Sequence, residues 1–265
     1  MAMTFGCCIG SSCYDLVAKA GYSSIAFPGV ELTSLSESEF EQLTEKVRTG
    51  PLDVLSVNSF CPPQLRLTGH DLDLDALERY ARILFPRAAQ LGVKFIGIGG
   101  PVSRSTREGE TQEDALRNLE TSLSTLCRVA EEYSLTILLE SVCSLECNLV
   151  TYTHEAAEMV RRLNIPNLGL VYDIYHAHMM HEDPRYILEA ADLIRVAHIA
   201  QDEGGKRIYL REEKFQEYLP YIKALTEAGY TGELNMESFV GDPAQELPQS
   251  KKILDDLLNT VQSNS

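Results

Sequence analysis

The sequence predicts a single (β/α)8 barrel. Three observations carry this: eight short apolar runs, amphipathic stretches between them, and only 265 residues to hold both. The runs cover 5–9, 24–27, 54–58, 95–99, 136–140, 169–173, 195–199 and 233–237. Side chains alternate between the two faces of a strand, so runs that are apolar on both faces suit parallel strands covered by helices.

The helical stretches have legible ends. Ser36-Glu37-Ser38-Glu39 reads as a capping box, followed by Phe40, Leu43 and Val47 on one face. Pro86 lacks the N–H a helix interior needs, so a kink is expected between Leu74 and Leu91. Leu116, Leu119, Leu123, Leu126 and Ala130 form an apolar stripe running into the fifth strand. Asp183-Pro184 supplies a cap and a first-turn proline for a helix over 186–193. Gly229 suits the left-handed residue that ends a helix over 218–228. With no linker-like segment, one barrel domain is expected over 1–262, with a disordered tail at 263–265. A doubly wound sheet would have fewer strands and a glycine-rich first turn, and Phe95-Ile96-Gly97-Ile98-Gly99-Gly100 lacks the G-x-G-x-x-G spacing of a dinucleotide site.

Composition narrows the function. At 44% hydrophobic residues the chain can fill a large core. With 23 Lys and Arg against 39 Asp and Glu, the formal charge of −16 argues against a phosphate-backbone partner and against anionic membrane surfaces. No cationic leader and no apolar run approaching the roughly 20 residues of a membrane helix is present. The odd number of cysteines, seven, suggests reduced thiols and a cytoplasmic protein, and Cys143 and Cys147 lack a second pair to complete a zinc site. A homo-oligomer is compatible with all of this.

Four consecutive strands end in a metal-ligating residue: Glu140 after Ile137-Leu138-Leu139, Asp173 after Leu170-Val171-Tyr172, His198 after Val196-Ala197, and Glu237 after Leu234-Asn235-Met236. A charge at the end of an apolar strand is costly to bury unless paired or coordinated. Barrel closure brings strand C-termini to one mouth, where barrel active sites lie. Three carboxylates and an imidazole suit one hard divalent ion, Mn²⁺ first, then Mg²⁺ or Co²⁺, with Zn²⁺ also able to occupy such a site.

The stretch from Leu138 to Phe239 resembles the xylose isomerase-like sugar isomerases and epimerases. The matching pieces are Leu139-Glu140 with Glu146 six residues on, Asp173-Ile174-Tyr175-His176, the segment His198-Ile199-Ala200-Gln201-Asp202, and Ala228-Gly229-Tyr230-Thr231-Gly232 leading into Asn235-Met236-Glu237. The resemblance implies Glu140, Asp173, His198 and Glu237 as metal ligands, and Glu146 and His176 as holders of substrate oxygens. One departure stands out. The epimerases carry an arginine six residues after the metal histidine, where this chain has Gly204, so Arg207, or else Arg211, would take the role after a loop shift.

The implied substrate is a small carbohydrate. Glu140 and Glu237, on opposite sides of the ion, would remove and return a proton through an enediolate stabilised by the metal. Epimerisation, isomerisation and, in an inosose-type dehydratase, loss of a β-hydroxyl share that first step. A phosphodiester-cleaving barrel resembling endonuclease IV would need a histidine-rich site that six scattered histidines do not supply. A metal-holding binding protein is the non-enzymatic alternative. Glu31 is expected at the pocket or at a helix entry, Glu182 behind the metal histidine or bracing the mouth, and His178 and His181 in a loop or at a helix entry. Arg104, Arg107 and Lys206 are expected either to meet a substrate phosphate or to be solvated.

Overall fold

Eight parallel strands close on themselves in a computed structural model that describes residues 3–263. They are β1 (Thr4–Cys8), β2 (Ser24–Pro28), β3 (Ser56–Asn58), β4 (Phe95–Ile98), β5 (Thr136–Glu140), β6 (Leu168–Asp173), β7 (Ile194–Ile199) and β10 (Glu233–Met236). Two short strands, β8 (Gln201–Glu203) and β9 (Lys206–Ile208), form a separate antiparallel hairpin just after β7. The barrel closes where β10 pairs with β1, Thr4 beside Glu233 and Cys7 beside Met236.

Most strands match the apolar runs to within a residue. The exception is β3, which is shorter because Asp53 makes an isolated bridge instead: its N–H donates to Ser23 and its carbonyl accepts from Ile25. The capping box is present, with Glu39 N–H donating to Ser36 Oγ and Ser36 N–H donating to Glu39 Oε2. The helix Leu74–Gln90 continues through Pro86 as one element. Gly229 is left-handed at φ 68°, directly after the helix Phe215–Glu227 and its cap Ala228. The helix expected over 186–193 is a single turn, Tyr186–Glu189, because the chain turns at Ala190 to enter β7. The last helix runs to Ser263, so the first residue of the expected tail is helical; Asn264 and Ser265 lie outside the described residues. Among the described residues, no helix is long and apolar enough to cross a membrane.

The barrel interior sets up the site. Leu138, Val171 and Val196, with Phe95 against them, form an apolar plug apart from the main core between strands and helices. Each plug residue stands two positions before Glu140, Asp173 or His198, and residues two apart on a strand share a face. The side chains that follow therefore point inward one layer higher, over a buried apolar floor. Beside it lies a buried polar cluster, with Ser56 Oγ donating to Glu233 at 2.7 Å and Asn235 Nδ2 donating to Ser56 Oγ at 3.3 Å.

Candidate functional site

The register of the sheet brings four chain-distant residues to one point. Asp173 pairs with His198 across β6 and β7, and His198 pairs with Asn235 across β7 and β10. Glu237 N–H donates to Ile199 at 2.9 Å, extending the ladder by one residue. One donor atom from each of Glu140, Asp173, His198 and Glu237 lies within 4.8 Å of the others, and all four residues are buried. His198 Nδ1 stands 3.2 Å from Glu140 Oε1 and 3.5 Å from Glu237 Oε2, so both glutamates meet the same ring nitrogen. Cys8 Sγ approaches Nε2 on its other side at 3.6 Å.

Neighbours fix each carboxylate. Asn58 Nδ2 donates to Glu237 Oε1 at 3.0 Å. Tyr175 N–H donates to Asp173 Oδ1 at 2.8 Å. Glu140 takes space that only a glycine leaves open, since a Cβ on Gly99 would stand 2.2 Å from Glu140 Oε2. Arg104, fully buried, donates from Nη1 to the Glu140 carbonyl at 2.6 Å.

The two glutamates titrate in opposite directions. Burial raises Glu140, only partly offset by His198. Burial acts on Glu237 as well, but His198, Arg207 and the Asn58 hydrogen bond outweigh it and hold this carboxyl below its usual range. Burial lowers His176 to about 3, keeping the ring neutral at ordinary pH. Glu146 is raised by burial, with Arg207 acting the other way.

Above the cluster lies a cavity of about 330 Å³ whose lining includes Asn58, Phe60, Glu146, His176, Arg207 and Phe239. Arg207 therefore enters the pocket, whereas Arg211 is held 2.5 Å from Glu246. The β8–β9 hairpin achieves this: Arg207 Nη1 lies 2.9 Å from Asp173 Oδ2 and also contacts Glu237, and the guanidinium reaches His176 and, at 3.8 Å, Glu146. A second cavity of about 550 Å³ opens at the opposite end of the barrel beside Lys94, Arg195 and Glu233, remote from the cluster.

Other expected residues fall elsewhere. Arg104 braces the backbone and is not among the residues lining the cavity, and Arg107 pairs with Asp71 at 2.5 Å. Lys206 is exposed on the hairpin. Glu31 accepts from Ser11 N–H at 3.0 Å and ties two loops together. Glu182 braces the helix Thr153–Leu163 by accepting from Thr153 N–H at 2.8 Å. His178 lies 3.7 Å from Glu217, and His70 lies 3.1 Å from Glu110. Sequence reasoning passed over Asn58 and Cys8, both at the C-terminal ends of strands; position was the available signal.

The residues fit a divalent ion. The donor set is hard, and Asp173 Oδ2 accepts no hydrogen bond although it is buried, because its approach to Arg207 lies outside hydrogen-bonding geometry. The model of the xylose isomerase-like TIM barrel family matches residues 14–257. The chain belongs to this family. A ketose 3-epimerase from Arthrobacter globiformis is 27% identical over 229 residues, covering 83% of this chain and 74% of the relative. A crystal structure of a D-tagatose 3-epimerase-like protein superposes with a TM-score of 0.82 at 18% identity, covering 99% of each chain. The structure of an IOLI protein with a bound zinc atom superposes with a TM-score of 0.73 at 20% identity, covering 98% of this chain and 99% of that one. The two superpositions bear on fold alone.

Proposed function

We propose that this chain is a divalent-metal-dependent isomerase or epimerase of a small ketose or related polyol ketone, with Glu140 and Glu237 moving the proton. The ketose 3-epimerase relative supports the sugar isomerase and epimerase class. The observation that carries the finer reading is the convergence of four buried donors under one cavity at the C-terminal end of the barrel.

Glu140, Asp173, His198 and Glu237 would hold the ion. When bound, the metal polarises a carbonyl and stabilises negative charge developing on its oxygen. A hard donor set favours Mn²⁺, and the zinc in the IOLI structure keeps Zn²⁺ in view.

The protein's own groups do the rest. Asn58 fixes one oxygen of Glu237, and the other, which Arg207 contacts, would take a proton from a carbon of the bound sugar. Glu140, at the end of β5, stands three strands round the barrel from Glu237, which follows β10, and would return the proton to the opposite face of that carbon. Cys143 N–H donates to His176 Nδ1 at 3.1 Å, so the neutral ring would offer its Nε2 proton, which faces Arg207 Nη2, to a substrate oxygen. Glu146 accepts from a sugar hydroxyl, and Arg207 donates to a substrate oxygen. Seven cysteines without a disulfide fit a cytoplasmic setting.

The test is to strip the protein with chelator, restore Mn²⁺, and follow a ketose panel for new sugars by chromatography. Conversion that appears only with metal and is lost in Glu140→Gln is expected. Conversion that survives both chelation and the substitution would remove the proposal.

A further inference from the structure

We infer that Arg207 is an internal rival of the metal ion: its guanidinium occupies the space between Asp173 and Glu237 and must withdraw for a divalent ion to bind there. This rests on the metal-centre reading above.

Arg207 is 6% exposed and approaches Asp173, Glu237 and Glu146 together. A cation in that position offsets the repulsion of carboxylates buried side by side, which would otherwise be costly. A divalent ion sits about 2.0–2.6 Å from its oxygen ligands. Nη1 is already 2.9 Å from Asp173 Oδ2 and in contact with Glu237, so ion and guanidinium compete for the same oxygens.

The hold on Arg207 is incomplete on one side. His176 receives the Cys143 N–H at Nδ1, so its Nε2 presents a proton to the Arg207 Nη2 that touches it, donor against donor. The guanidinium keeps company besides the two ligands: it lies 4.7 Å from the Tyr175 ring and 5.3 Å from the Phe239 ring, two aromatic faces that favour a cation, and 3.8 Å from Glu146, so it can leave Asp173 and Glu237 without losing every partner. The hairpin turns on Gly204 and Gly205, both left-handed, at φ 62° and 79°. Metal affinity is thus reduced by the fraction of molecules in which Arg207 holds the ligands.

Mn²⁺ binding to the full chain, measured by calorimetry, tests this. Arg207→Met and Arg207→Ala are expected to bind Mn²⁺ at least about tenfold more tightly than the parent, because the competing state is gone. The melting temperature of the metal-free variants should fall. Millimolar guanidinium added to Arg207→Ala should weaken Mn²⁺ binding again, while equal sodium chloride should not, a response that a purely structural role would not give. Unchanged or weaker Mn²⁺ binding in a folded variant overturns the inference. Should both variants fail to fold, Arg207→Gln, which keeps a long polar side chain without the charge, decides in the same way, tighter binding supporting rivalry and unchanged or weaker binding refuting it. If neither parent nor variants bind any divalent ion, the metal-centre reading falls and takes this inference with it.

Discussion

Glu140 and Glu237 owe their positions to two residues that carry no charge. Asn58 pins one oxygen of Glu237, so Asn58→Ala should leave that carboxylate free to rotate. We expect about a tenfold loss in kcat and a stability change of about 1–3 kcal/mol, the usual cost of an unmade buried hydrogen bond, read by kinetics and urea denaturation. Gly99→Ala should act harder on activity than on folding. The new methyl would stand 2.2 Å from Glu140 Oε2, so Glu140 must move while the barrel wall stays in place. Circular dichroism near that of the parent, with Mn²⁺ affinity reduced more than tenfold, is the expected pair of results. The four proposed ligands were readable because an ionisable group at the end of an apolar strand needs a partner. Asn58 was not, since an asparagine at a strand end is unremarkable until Glu237, far along the chain, is seen against it.

At the scale of elements, the loops above the barrel are held by a residue for which the sequence offered only a substrate phosphate or solvent. Arg104 follows β4 by a few residues and reads as a loop charge, yet it is buried and donates to the carbonyls of Glu140 and Val150. Its partners lie 36 and 46 residues further on, so nothing local announces them. Arg104→Met should cost about 1.5–3 kcal/mol, the range for a lost charged hydrogen bond, and a thermal melt would show it. The hairpin gave the opposite lesson. A displaced arginine was expected after the metal histidine, and Arg207 enters the pocket because β8 and β9 fold back on the mouth. The strands were legible from apolar runs closed by turns; β3 was overdrawn because Asp53 bridges β2 before the strand proper begins.

For the whole molecule, the excess of acid has a local counterpart. Glu140, Glu146, Asp173 and Glu237 gather at one mouth, countered by Arg207 and lying beside His198. A ligand that binds only the folded state stabilises it, by about 2.7 kcal/mol at a hundredfold excess over its Kd. Saturating Mn²⁺ should therefore raise the melting temperature of the metal-free protein, and chelator should reverse the rise. The barrel as a whole was legible from periodicity and length, because closure needs eight strands and the chain has room for little else. The reaction tests the central claim most directly. With Mn²⁺ in D2O, a ketose substrate should take up deuterium at the carbon beside its carbonyl, as NMR would show, and Glu237→Gln should abolish the uptake. Absence of exchange across a broad ketose panel, or exchange unaffected by Glu237→Gln, would contradict the two-glutamate account.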